Sequence, residues 1–223
     1  MRPGMERSGG RSPRRVWYVS YGSNTHLERL ARYIVGGRPP GGAMAYPGCR
    51  DRRMPERSVP VRLDGVMYFA TESAVWTGGR AFYDPDARAA GPGPSCVLAR
   101  AHLVTVGQFS DIAAQEMYRE PGADLDLTEV LSEGRAALGE GRYETLVRAG
   151  VLDGFPLLTF TAPWGVGDVE WNPPSAPYLA HLSAGLLEAG PWDIAAVADY
   201  LAACPGASGR WSAREIRDLP RTG

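Results

Sequence analysis

The sequence lacks lysine altogether, because all 24 of its basic residues are arginine. This absence excludes mechanisms that need a lysine amine, such as a Schiff base, a Ser-Lys pair or a phosphate-loop lysine. The sequence also lacks an excess of charge, since 25 acidic residues bring the net charge to −1. A chain without a strong field is not steered towards nucleic acid or an anionic membrane surface, so we expect neither as a partner.

Histidine and cysteine are scarce as well. The three histidines are scattered and none belongs to an HExxH or HxE pattern: His26, His102 and His181. The three cysteines are odd in number and far apart, without a CxxC pair: Cys49, Cys96 and Cys204. These spacings indicate neither a metal site nor a disulfide framework. We therefore expect no bound metal and a reducing, cytoplasmic location.

Long apolar runs are also missing, and no stretch approaches the roughly 20 apolar residues of a membrane span. The first part of the chain, residues 1–15, is rich in arginine, glycine, serine and proline, which favours a disordered arm. The apolar stretch that follows is too short and too soon polar for a signal peptide. With 44% hydrophobic residues, residues 16–223 are predicted to form one domain. The sequence gives no indication of oligomeric state.

The most informative segment runs from Val16 to Asn24, where an apolar strand pattern ends in Tyr21, Gly22, Ser23 and Asn24. A strand that turns there into a helix exposes several backbone N–H groups, which can bind a carboxylate or a carbonyl oxygen. Glycine, serine and asparagine are also common turn and cap residues, so an ordinary strand-to-helix connection is the alternative.

Apolar spacing predicts a helix over about 25–35, which is followed by a long loop over 38–60 with at most short strands. The loop arginines are candidates for an anion site or for a solvated surface: Arg50, Arg52, Arg53 and Arg57. Strands are predicted over 65–70 and 96–105, and a hairpin over 143–148 and 155–162. Three helices are predicted near the end of the chain, with caps at Ser175, Asp193 and Ser212.

Between these strands, residues 108–120 are predicted to form a helix that begins at Ser110 or Asp111. Glu116 follows Ile112 by four residues, which places it on the apolar face of that helix. Desolvation there would raise the pKa of Glu116 towards neutrality, where a carboxyl group can accept and return a proton. The alternative is an ion pair with Arg119 or another arginine, or a position at the helix edge.

Together these motifs resemble the gamma-glutamylcyclotransferase-like superfamily. The resemblance is carried by the Tyr21–Asn24 turn and by the segment from Ile112 to Glu116. A later Pro-Ser-x-x-Tyr segment ending at Tyr178 leads into a helix with glycines at 185 and 190. The resemblance covers about residues 16–201, apart from the loop over 38–60 and an insertion over 123–141.

The resemblance implies an α+β fold, a small mixed β-barrel-like sheet with peripheral helices. It also implies that the α-amine of a gamma-glutamyl amide attacks the side-chain carbonyl, releasing an amine and 5-oxoproline. Glu116 would be the catalytic acid–base, and substrate would be bound by Tyr21, Gly22, Ser23, Asn24 and Tyr178. The partner would be a small gamma-glutamyl molecule, and this ring closure requires no cofactor.

Two other functions compete with this hypothesis. A metal-dependent amide hydrolase or deacetylase would need a cluster of histidine and aspartate ligands, which three dispersed histidines do not favour. A non-catalytic module of the same fold would use the cavity only to bind a small acidic or amino-acid-like ligand. One glutamate argues only weakly against such a module, since a carboxylate is readily retained for structure.

Overall fold

The computed structural model describes residues 13–38, 45–88, 94 and 96–220. Its strands within these ranges are β1 (Arg15–Ser20), β2 (Ser58–Leu63), β3 (Val66–Ala70), β4 (Arg80–Asp84), β5 (Val97–Thr105), β6 (Arg135–Ala137), β7 (Thr145–Leu152) and β8 (Phe155–Thr161). Its α-helices are α1 (Leu27–Val35), α2 (Val106–Glu116), α3 (Thr128–Glu133), α4 (Ala176–Ala189), α5 (Ile194–Ala203) and α6 (Ala213–Arg217). A 3₁₀ turn, Ser23–Thr25, lies between β1 and α1.

Six strands form one mixed sheet in the order β2-β5-β1-β8-β7-β6, and β3 pairs with β4 in a separate hairpin. Strand β1 lies near the middle, antiparallel to β5 and parallel to β8. In the described part of the chain no pairing joins the edge strands β2 and β6, so the sheet is open. The α+β class and the mixed sheet with peripheral helices are confirmed, but the sheet does not close into a barrel.

The central strand β1 is buried on both faces because hydrophobic cores lie on either side of the sheet. Val16 and Tyr18 pack into a core that includes residues of α1 and α2. Trp17 and Val19 pack into the opposite core with residues of α4 and α5. Burial on both faces explains why β1 is a continuous apolar run rather than an alternating one.

Helix α2 begins earlier than the sequence analysis predicted. It starts at Val106 rather than at Ser110 or Asp111, since Thr105 Oγ1 accepts a hydrogen bond from the Gln108 backbone N–H and the Gln108 side chain accepts one from Thr105 N. This reciprocal pair is a capping box. Asp111 is instead buried and accepts hydrogen bonds from the backbone and side chain of Arg50.

The other predicted elements agree with the structure apart from their ends. The hairpin is confirmed as β7 and β8, and Ser175, Asp193 and Ser212 cap α4, α5 and α6 as predicted. Three regions contain elements that were not predicted. Strand β2 begins inside the proposed 38–60 loop, β4 follows β3, and α3 and β6 lie within 123–141.

The division into an arm over 1–15 and one domain over 16–223 stays a prediction. Residues 1–12 lie outside the described ranges, and Arg15 is already the first residue of β1. Over the ranges that the structure does describe, no helix combines the length and the apolar character needed to cross a membrane.

Candidate active site

The turn after β1 is held in one conformation by short-range and long-range hydrogen bonds. The backbone N–H and the Oγ1 of Thr25 both donate to the carbonyl of Gly22, at 3.1 and 2.9 Å. His181 Nε2 donates to the carbonyl of Ser23 at 2.9 Å. The turn is therefore fixed both within itself and against α4.

One face of α4 supports this turn. Tyr178, His181 and Gly185 follow one another at spacings of three and four residues, which places them on the same side of the helix. A Cβ atom on Gly185 would lie only 2.7 Å from the backbone nitrogen of His26. The missing side chain thus allows the backbone of the turn to approach α4 closely.

Glu116 is the last residue of α2 and meets the turn directly. Asn24 Nδ2 donates a hydrogen bond to Glu116 Oε1 at 3.1 Å and also contacts the Tyr18 hydroxyl at 3.1 Å. Asn24 is almost completely buried, and its Oδ1 has no hydrogen-bond partner. Glu116 does not pair with Arg119, whose guanidinium binds Glu144 instead. The structure thus brings together the two sequence motifs, which lie 92 residues apart.

The environment of Glu116 favours the protonated carboxyl group. Burial raises the pKa of Glu116 above its ordinary value, while hydrogen bonding with Tyr33 and the positive charge of Arg29 oppose the rise without cancelling it. The direction agrees with the expectation drawn from the apolar face of the helix. A carboxyl group with a raised pKa is better suited to accept and return a proton near neutral pH.

Two cavities meet at Glu116. The inner cavity, about 360 Å³ including its open mouth, is lined by the residues of the turn and by side chains of β1 and β8. The outer cavity, about 560 Å³ including its open mouth, is lined mainly by aromatic and arginine side chains. Both cavities share Ser23, Glu116, Tyr143 and Tyr178. The carboxyl group of Glu116 therefore lies where the two cavities meet.

Tyr21 and Tyr178 form walls of the inner cavity. The Tyr21 hydroxyl donates to the carbonyl of Phe160 at 2.9 Å, so this donor is already engaged. The Tyr178 hydroxyl accepts from the Ala81 backbone N–H at 3.4 Å, and its ring stacks on Trp76 at 5.4 Å between centroids. All the predicted site residues, Tyr21, Gly22, Ser23, Asn24, Glu116 and Tyr178, line the inner cavity.

Several residues of the site were not predicted from the sequence. They are Tyr18, Arg29, Tyr33, Trp76, Arg80, Arg142 and Tyr143. Arg29 and Tyr33 are spaced i, i+4 on α1, a signal that could have assigned them to one helix face. Arg80 and Arg142 have no comparable signal, since they come from segments far apart in the sequence.

The histidines support the turn rather than forming a metal centre. His102 Nε2 donates to the Asn24 carbonyl at 3.2 Å, and burial lowers the pKa of His102 to about 3. His26 and His181 stack at 5.1 Å between ring centroids. Across the described ranges, no group of three or more histidine, cysteine, aspartate or glutamate residues is arranged to hold a metal ion.

Gamma-glutamyl cyclotransferase is a structural neighbour of this chain. The two share 15% sequence identity, and the superposition covers 92% of this chain and 97% of the other with a TM-score of 0.47. An uncharacterized protein from Homo sapiens shares 16% identity over 93% of this chain and 98% of its own, with a TM-score of 0.49.

The protein that matches by sequence has a different name from the structural neighbour. No family model matches the chain. The curated protein histone deacetylase 5 of Arabidopsis thaliana is 29% identical over an alignment of 191 residues that covers 78% of this chain. The match spans only 28% of the length of that protein.

Proposed function

We propose that the chain is a gamma-glutamylcyclotransferase-like enzyme that releases an amine and 5-oxoproline from a small gamma-glutamyl amide. The observation that carries this proposal is the position of Glu116. Its desolvated carboxyl group accepts a hydrogen bond from Asn24 at the boundary between the two cavities. A group that transfers a proton between an attacking and a leaving nitrogen needs such a position.

The two cavities suggest how the substrate is divided. The glutamyl half would occupy the inner cavity beside the turn, bent so that its α-amine faces its side-chain carbonyl. The backbone N–H groups of Gly22, Ser23 and Asn24 would then donate to the developing oxyanion or to the α-carboxylate. The buried and unpartnered Oδ1 of Asn24 is an acceptor available to the α-amine.

The reaction needs one new bond, one broken bond and one transferred proton. The neutral α-amine attacks the side-chain carbonyl carbon and forms the ring C–N bond. Ionised Glu116 takes a proton from this nitrogen and returns it to the amide nitrogen, whose bond to the carbonyl carbon then breaks. Holding both groups of one molecule together supplies much of the rate enhancement without an enzyme nucleophile.

The products made in H₂¹⁸O test this proposal against hydrolysis. Cyclisation consumes no water, so we expect 5-oxoproline without ¹⁸O, whereas an amide hydrolase would yield glutamate carrying ¹⁸O in its side-chain carboxyl group. We expect added chelator to leave the rate unchanged, because Glu116 acts here without a metal ion. If ¹⁸O-labelled glutamate forms without chelator but no longer forms when chelator is added, the deacetylase-like alternative is favoured instead. Binding without either product would favour a non-catalytic module.

The pH dependence of kcat/KM provides a second test. Glu116 acts as a base only when it is ionised, so activity is lost as the pH falls through its pKa. The α-amine of the substrate must also be neutral, and its titration at about 8 adds an acid limb that is the same in every variant. Because burial raises the pKa of Glu116, we expect a second acid limb, that of Glu116, above the ordinary glutamate value of 4.5. Asn24→Ala removes a hydrogen bond to the ionised form and should shift the limb to still higher pH. A limb that stays at the ordinary value in both proteins would contradict the assigned role.

All three cysteines are free thiols, two of them buried. This state accords with a reducing compartment. We propose a cytoplasmic setting for the reaction on this basis.

A further inference from the structure

The outer cavity contains three arginines that form no ion pair with a carboxylate of the described residues. Arg29, Arg80 and Arg142 line it and are each only partly exposed. Within the described residues none of them has an aspartate or glutamate oxygen within 4.0 Å. The Nε atom of each is buried and has no hydrogen-bond partner. These are three cationic groups in one cavity with a single carboxyl group, that of Glu116.

Three arginines of the 38–60 loop behave differently. The loop over 38–60 was a candidate anion site on sequence grounds, yet three of its four candidate arginines are already ion-paired, and the fourth, Arg52, donates to the Pro47 backbone carbonyl. Arg50 binds Asp111 and Asp124, Arg53 binds Asp51, and Arg57 binds Asp153. These three loop arginines are therefore ion-paired, whereas the three cavity arginines are partly buried and have no carboxylate oxygen within 4.0 Å among the described residues.

Neutral groups hold the three cavity arginines in place. The Arg29 guanidinium lies 5.3 and 4.7 Å from the ring centroids of Tyr33 and Tyr46, and that of Arg142 lies 4.5 Å from the Tyr118 ring. Arg80 donates to the backbone carbonyl of Glu72. Aromatic faces and carbonyl oxygens position a guanidinium without removing its net charge. The positive charge thus remains available to a ligand.

The position of Glu116 determines which part of the substrate meets this charge. The leaving nitrogen must lie at Glu116, the boundary of the cavities, and the turn supplies donors for the glutamyl half on the inner side. The rest of the leaving amine must then extend into the outer cavity. Three partly desolvated cations there favour an anionic group strongly, because charge-assisted hydrogen bonds are strongest where water is excluded.

We propose that the outer cavity selects gamma-glutamyl amides whose leaving amine is a dianion, of which an amino dicarboxylate is the simplest, with Arg80 and Arg142 as specificity-determining residues. The inference rests on the proposed function. Two negative charges, together with ionised Glu116, balance the three guanidinium groups of the cavity. A neutral or cationic amine would leave them unpaired in a partly buried space.

A matched series of substrates tests this selection. The gamma-glutamyl derivatives of asparaginamide, asparagine and aspartate have nearly the same shape, but their leaving amines carry zero, one and two carboxylates. We expect kcat/KM for 5-oxoproline release to rise by about tenfold with each carboxylate. Arg142→Gln and Arg80→Gln should each reduce the aspartate-to-asparaginamide ratio by about tenfold. Arg52→Gln, at an exposed arginine of the 38–60 loop, is the control and should leave the ratio unchanged.

The outcomes separate this inference from the proposed function. Equal turnover of the three substrates, or a preference that ends at one carboxylate, would overturn the inference and leave the cyclotransferase proposal standing. An unchanged ratio in both arginine variants would also overturn it. If no substrate of the series yields 5-oxoproline, the proposed function itself is contradicted.

Discussion

Glu116→Gln is expected to lower kcat/KM for 5-oxoproline release by at least about 10²-fold, the range over which a positioned acid–base group acts. Glutamine keeps the shape of the side chain and an oxygen that can accept the hydrogen bond from Asn24. It cannot take a proton from the attacking amine. The measurement is the initial rate of 5-oxoproline formation from a gamma-glutamyl amide, quantified by mass spectrometry.

The stability of the same variant distinguishes lost chemistry from lost structure. The folded pKa of Glu116 is raised by burial, so the folded state holds its proton more tightly than the unfolded state. The contribution of this proton to stability is complete below the unfolded pKa and is lost as the pH rises through the folded pKa. Since glutamine does not ionise, we expect Glu116→Gln to unfold at neutral pH with a free energy no lower than that of the unmodified protein.

Glu120→Gln is the matched control, since Glu120 is exposed and lies beyond the end of α2. It makes the same chemical change four residues away and should retain full activity. Full turnover by Glu116→Gln would remove Glu116 from the mechanism. An equal loss in both variants would indicate a general effect of charge near the end of α2.

The sequence could predict the parts of the site that local signals specify. The β1 run, the turn after it and the apolar face that carries Glu116 are each contained within a short segment. Their proximity in space is not local, and it entered only through the resemblance to a family. The predicted start of α2 was wrong because Ser110 and Asp111 are also good caps. The buried contact of Asp111 with Arg50 is made by tertiary packing.

The three arginines of the outer cavity could not be predicted as one group. Arg29 comes from α1, Arg80 from β4 and Arg142 from the segment before β7, so only the fold brings their side chains to one cavity. Composition is no guide either, because arginine is the only strong base in the chain and occurs throughout it. The open sheet is likewise a tertiary property, since strand patterns do not specify whether edge strands meet.

Gly185→Ala is expected to disturb the turn after β1 from the side on which α4 packs against it. A Cβ atom at this position would overlap Thr25 Oγ1 and lie 2.7 Å from the backbone nitrogen of His26. Alanine favours a helix by about 1 kcal/mol over glycine, but overpacking against backbone costs up to about 3 kcal/mol. We therefore expect the free energy of unfolding to fall by about 2 kcal/mol, measured by urea denaturation.

Activity should fall further than this loss of stability explains. The displaced residues, Thr25 and His26, directly follow Ser23 and Asn24, and a displacement of about 1 Å in a reacting group can cost about 10²-fold in rate. We expect such a loss in kcat/KM at a temperature where the variant is fully folded. Gly167→Ala is the control, because a Cβ atom there meets nothing within 4 Å. If Gly185→Ala lowered stability but left kcat/KM unchanged, the turn would not need its present position for catalysis, and the donors assigned to it would have to be sought elsewhere in the inner cavity.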